Sequence, residues 1–180
     1  MNALVVVESV FGNTRSIAEA VAEGLGPRSH ARVVDVARFD SAAPGALDGI
    51  DLLVVGGPTH AFGMTRAATR RSAAEQAGEG AVPAERGLRE WLAALPRAER
   101  GRLAATFDTR MDRPRMPGSA AAGAARRLRG LGYRMVTGPA SFRVTGTPGP
   151  LVPGELERAR LWAAGLVTRI VADGPAATIR

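Results

Sequence analysis

Ser9-Val10-Phe11-Gly12-Asn13-Thr14 sets two hydroxyls, an amide and a glycine between an apolar run and a helical pattern. Before it, Ala3 to Glu8 is largely β-branched and apolar, as a buried parallel strand requires. After it, Ile17, Ala18, Val21, Ala22 and Leu25 share one helical face, closed by Gly24, Gly26 and Pro27. A turn that carries strand into helix in this way offers backbone N–H groups, hydroxyls and the positive end of the helix dipole. That is the chemistry of an anion site suited to phosphate. Neither Gly-x-Gly-x-x-Gly nor a lysine-bearing phosphate loop is present. The alternative is an ordinary strand–helix turn with Asn13 as its cap.

Two other stretches carry functional groups at the ends of strands. Asp51 to Gly57 reads as a buried strand that runs into Pro58-Thr59-His60-Ala61-Phe62-Gly63. Leu103 to Phe107 reads as another, leading into a loop from Asp108 through Thr109 and Arg110 to Met111.

The 180 residues predict one domain spanning 1–180. Cysteine is absent, which excludes disulfides and thiolate metal sites, so redox chemistry requires a bound cofactor. No apolar run reaches membrane-span length, and Glu8 breaks the first one, against a signal peptide; the expectation is a cytoplasmic protein. All 24 basic residues are arginine and the net charge is +7, but aromatics are only 4%. Without interleaved aromatics or a basic stripe, nucleic-acid binding is disfavoured against solvated faces and an acidic partner.

The elements that must position these groups alternate. A strand at Ala31–Val36 and a linker with Pro44 and Gly45 follow the first helix. Met64 to Gly80 reads as a loose helix and surface loop; Leu88, Trp91, Leu92 and Leu95 form a helix stopped by Pro96. Ser119 caps a helix with the line Ala121, Ala124, Leu128, Leu131. A last strand between Tyr133 and Val144 and a helix lined by Leu156, Ala159, Ala163, Leu166 and Ile170 close the chain. Trp91 and Trp162 fall on apolar faces as core residues, and His30 lies at the surface before the second strand. The pattern predicts an α/β doubly wound parallel sheet of five strands, order 2-1-3-4-5, with helices on both faces. Its switch point lies between the first and third strands, where the three stretches converge.

Those three stretches, with Gly149-Pro150-Leu151 and Gly154 to Ala159, resemble the flavodoxin-like family over nearly the whole chain. The resemblance implies FMN as cofactor. Ser9, Val10, Phe11, Gly12, Asn13 and Thr14 would form the phosphate loop. Pro58, Thr59, His60, Ala61, Phe62 and Gly63 would flank one side of the isoalloxazine ring, and Asp108, Thr109 and Arg110 the other. Many flavodoxins sandwich the ring between Trp and Tyr; here only Phe62 and His60 are candidates to stack, and Phe11 fills space beneath its loop. His60 either meets the ring or is satisfied by loop backbone. Asp108 either bonds ribityl or ring atoms or caps its own loop.

Arg66, Arg70, Arg71, Arg110, Arg113 and Arg115 fall in or after the ring-flanking stretches. Cations there predict a midpoint potential less negative than a typical flavodoxin's. The implied function is electron transfer or a small flavin-dependent oxidoreductase, with a redox partner protein or small-molecule donor or acceptor. The alternative is a non-redox binding module on the same fold that has lost tight FMN binding. A phosphoacceptor receiver shares the topology but needs an acidic pair, an Asp ending the third strand and a Lys, and these are missing.

Overall fold

Asn2–Val7 forms β1, a strand buried on both faces from Ala3 onward, which is why it carries no polar alternation. A computed structural model describes the chain over residues 1–60, 62–77, 84–98, 101–114 and 117–173. Ala61, Arg115 and part of the Met64–Gly80 stretch lie outside these residues.

β1 pairs in parallel with β2 (His30–Asp35) on one side and β3 (Leu52–Pro58) on the other. β3 pairs with β4 (Leu103–Met111), and the order is β2-β1-β3-β4-β5, the doubly wound arrangement predicted. The fifth position is split. β5 (Arg134–Met135) pairs with the start of β4 and β6 (Ala140–Val144) with its end, with Gly138-Pro139 in the gap. Proline has no N–H for the ladder, so the break falls there. His30 is exposed but opens β2, and is not in the preceding turn.

The largest difference from the expected strand ends is at β4. Asp108, Thr109 and Arg110 were expected in a loop but belong to β4. The strand continues because its neighbours do: Gly57 and Pro58 pair Asp108 and Thr109 on one side, and Ser141 to Val144 pair Asp108 to Met111 on the other.

Helices cover both faces. α1 (Asn13–Gly24) and α5 (Glu155–Ala172) bury Ile17, Ala18, Val21, Ala159, Ala163 and Leu166 against Val5, Val7 and Phe107. They approach so closely that a side chain at Gly24 would fall on the backbone of Arg160. α3 (Leu88–Ala94) and α4 (Ala120–Gly130) cover the other face, on Leu4, Val6, Leu53 and Val55. Between β2 and β3 no helix forms. The linker instead lays Val36, Phe39, Leu47 and Ile50 on this second core. It is pinned by Trp91, whose indole N–H donates to Phe39 O (3.0 Å), and by Arg86, which donates to Val36 O and Phe39 O. α2 (Ala67–Ala77) follows β3.

Candidate functional site

The N-terminus of α1 is open toward the switch point. Gly12 enters the helix at φ 87° and, having no side chain, caps none of its amides. Glycine suits that left-handed entry. Ser9 Oγ accepts the Arg15 N–H (3.2 Å), which leaves its own proton to donate. Asn13 does not cap the helix. Its Nδ2 reaches across to Pro148 O (2.9 Å) and ties the 146–150 loop to the turn. Gly149 packs against that amide at φ 104°, where a Cβ would lie 2.6 Å from Asn13 Nδ2. A side chain there would break the tie.

Val10, Phe11, Asn13, Thr14, Pro58, Thr59, His60, Phe62, Thr109 and Arg110 line a single cleft of about 440 Å³. Ser9, Gly12, Gly63 and Asp108 stand around it without lining it. Thr14 and Thr109 join across its floor by a hydroxyl–hydroxyl hydrogen bond of 2.7 Å. Phe11 faces the cleft and does not sit beneath its loop. His60 and Gly63 exchange backbone hydrogen bonds of 2.9 and 3.0 Å, closing a tight turn. Within it Phe62 takes φ 72°, the one positive φ at a non-glycine residue among those described, and its ring is 56% exposed. Burial lowers the His60 pKa, so its imidazole is neutral at pH 7 and offers one donor and one acceptor to the cleft.

Asp108 resolves toward its local role. It is fully buried on the α4 side of the sheet, and its Oδ2 accepts from Thr59 Oγ1 (2.9 Å), Ser119 Oγ (2.6 Å) and Ala121 N (3.1 Å). Thr59 Oγ1 in turn accepts the Ala120 N–H, and Ser119 Oγ accepts that of Ala122, as its capping role predicts. A carboxylate at a helix N-terminus suits the dipole. This network fixes the Pro58–Gly63 turn against α4, and Oδ1 is buried with no hydrogen-bond partner.

Arg70, expected beside the ring, is instead 2% exposed and points away from the cleft. Its guanidinium donates to Ala84 O (3.0 Å), Glu85 O (3.1 Å), Thr65 Oγ1 (3.3 Å) and Glu90 Oε2 (3.0 Å). Beside it Glu8, 3% exposed, accepts from Thr65 Oγ1 (2.6 Å) and Leu88 N (2.7 Å). Burial raises the Glu8 pKa against the lowering effects of these bonds and of Arg70. Arg66, Arg71 and Arg113 are exposed; of the five of these arginines that are described, Arg110 lines the cleft.

The wall opposite the strand ends is α2, through Ala68, Thr69, Ser72, Ala73 and Gln76, with Met111, Val144 and Thr147 completing the lining. Apart from Met111, which ends the Asp108–Met111 stretch, sequence reasoning missed these residues. Their signal was a stripe of small and polar side chains at i and i+4, hidden among arginines.

No protein-family model and no curated protein matches the chain. Solved structures do. A flavodoxin from the domain Archaea is 17% identical, with 95% of this chain and 99% of that one covered at a TM-score of 0.63. Oxidised flavodoxin 1 from Bacillus cereus is 18% identical, with 93% and 98% covered at 0.65. The Flv1 flavodiiron core from Synechocystis is 15% identical, with 96% of this chain but 36% of that one covered at 0.61. Agreement over almost the full length of both flavodoxins, with the same sheet order, gives the chain a flavodoxin-like α/β fold.

Proposed function

We propose that this protein binds FMN in the cleft at the switch point and works in electron transfer or as a small flavin-dependent oxidoreductase. The observation that carries the reading is the joining of the α1 N-terminus, the Ser9–Thr14 turn, to the ends of β3 and β4 in one cleft. Ser9 Oγ–H, Thr14 and the first-turn amides of α1 suit a phosphate, and the Pro58–Gly63 turn with Thr109 and Arg110 suits a planar ring. When bound, FMN supplies the redox chemistry, and the chain's part is to orient it, exclude water and set its electrostatic surroundings. α2 supports the enzyme form of the reading, because it walls the cleft on the side away from the strands.

A sparse aromatic lining favours the second reading, a binding module without tight flavin. Among the described residues, Phe11, His60 and Phe62 are the only aromatic rings lining the cleft, and Phe62 is largely exposed. The test is the visible spectrum of the purified protein before and after addition of FMN and removal of the excess. Flavin bands that persist support the first reading, and their bleaching by NADPH separates enzyme from carrier. A colourless protein with tryptophan fluorescence indifferent to FMN supports the second.

Arg110 makes a further expectation quantitative. A cation in the cleft stabilises added negative charge on the ring, so Arg110→Gln is expected to shift the midpoint potential negatively by on the order of 30 mV for two electrons, about 1.4 kcal/mol. A spectroelectrochemical titration with no shift, or a positive one, removes Arg110 as a tuning residue.

A further inference from the structure

A second concavity of about 460 Å³ lies on the other side of the Pro58–Gly63 turn. Its lining includes Phe62, Met64, Ser119, Arg89, Arg126 and Arg127, with no acidic side chain among the described residues. Phe62 belongs to both hollows and stands between them.

Two of the three guanidinium groups are held in place by backbone carbonyls. Arg89 donates through Nε to Thr65 O (3.3 Å) and through Nη2 to Met64 O (3.1 Å). Arg127 donates through Nε to Leu92 O (3.3 Å) and through Nη2 to Ala93 O (3.4 Å). Each uses two of five N–H donors on the protein, and both side chains keep exposed surface. Neither forms an ion pair among the described residues. Arg126, also exposed, adds a third charge to the same rim. Three like charges around one depression repel one another, and a multiply charged anion relieves that repulsion while collecting charge-assisted hydrogen bonds.

The strained turn belongs to the same place. Phe62 holds φ 72°, and the carbonyl of Phe62 sits where a Cβ on Gly118 would be, so the turn packs directly on the backbone at Gly118. Backbone strain at a non-glycine residue persists where the surroundings over-determine it, and such residues cluster at ligand clamps.

We infer that the hollow lined by Arg89, Arg126 and Arg127 binds the anionic group, phosphate or carboxylate, of a small molecule. Its uncharged remainder passes Phe62 into the main cleft. The anion site stands on its own; only the destination of the remainder rests on the proposed cofactor cleft.

The experiment is a titration of the ¹⁵N-labelled full chain with inorganic pyrophosphate and, separately, with citrate, at constant ionic strength. The arginine Nε–H resonances and the amides of residues 9–14 are followed together. The expected result is saturation of the Arg89, Arg126 and Arg127 signals with one dissociation constant, weakened roughly tenfold by Arg126→Gln. Arg169, on α5 across the sheet, stays still. The tighter of the two anions identifies phosphate or carboxylate as the source. Shifts confined to residues 9–14 overturn the inference while supporting a phosphate loop. Unsaturated shifts spread over all arginines, Arg169 included, reduce the effect to screening and also overturn it. A wild-type chain that ignores FMN but saturates at the three arginines removes the cofactor reading and leaves the anion site.

Discussion

Arg70→Met is expected to lower the unfolding free energy by about 3–5 kcal/mol, the loss typical when one partner is removed from a buried ionic cluster. Methionine fills comparable space, so the effect isolates the charge and its donors. The substitution leaves the carbonyls of Ala84 and Glu85 without their side-chain donor and takes the nearest cation from Glu8. Glu8→Gln in the same background is expected to recover part of the loss, because it withdraws the stranded charge. The pH dependence has a definite sign. Burial raises the folded Glu8 pKa, so the unfolded chain ionises first as pH climbs, and stability from this group is lost between the usual glutamate range and its raised value. Removing Arg70 takes away a lowering influence and widens that window upward. Glu90 adds in the same direction: burial pushes it up, but the Gly87 and Glu90 amides and Arg70 outweigh it and leave it lowered. Its stabilisation, present at neutral pH and lost in acid, shrinks without Arg70, by a modest amount given its solvent exposure. Urea unfolding of both proteins across pH 4–8 should therefore show a gap that grows with pH. A gap below about 1 kcal/mol, or one flat in pH, would mean that water already screens the cluster.

The second large effect is expected at Asp108. Asp108→Ala removes the acceptor for two hydroxyls and one amide in a fully buried setting, each costing about 1–3 kcal/mol if left unpaired, with partial relief as the hydroxyls turn elsewhere. A net loss of about 3 kcal/mol follows. Asp108→Asn keeps one acceptor oxygen but forfeits the negative charge at the α4 N-terminus, for about 1–2 kcal/mol. The ranking Ala worse than Asn is the decisive readout from chemical unfolding. Equal costs would place the stabilisation in packing instead. Because Thr59 lines the cleft and leans on this carboxylate, both variants should also loosen the turn that carries His60 and Phe62.

Much of this architecture was legible before any coordinates. Buried strands without alternation, Ser119 as a cap and the helical line Leu88, Trp91, Leu92, Leu95 are local signals, and the fold followed from their order. What the sequence hid depends on partners remote in the chain. The strand state of Asp108 to Arg110 comes from pairing with β3 and β6, not from its own composition. Arg70 reads as a surface arginine among Arg66 and Arg71 until Glu8, 62 residues earlier, is seen beside it. The α2 wall is built of Ala, Thr, Ser and Gln, which leave no apolar period to detect. Where Asp108 pointed was open to two readings, and only the placement of α4 decided between them.

The two tryptophans divide the molecule in an instructive way. Trp162 meets Phe107 and Phe142 edge-on, with ring centroids 6.2 and 6.1 Å apart, in the layer under α1 and α5. Trp91 lies in the opposite layer, bonded to the linker that replaces a helix. Each core thus carries one tryptophan, so Trp91→Phe and Trp162→Phe turn a single tryptophan emission into a separate witness for each side of the sheet. Melting curves that coincide would describe one cooperative unit. Curves that part would show the linker's side letting go on its own schedule.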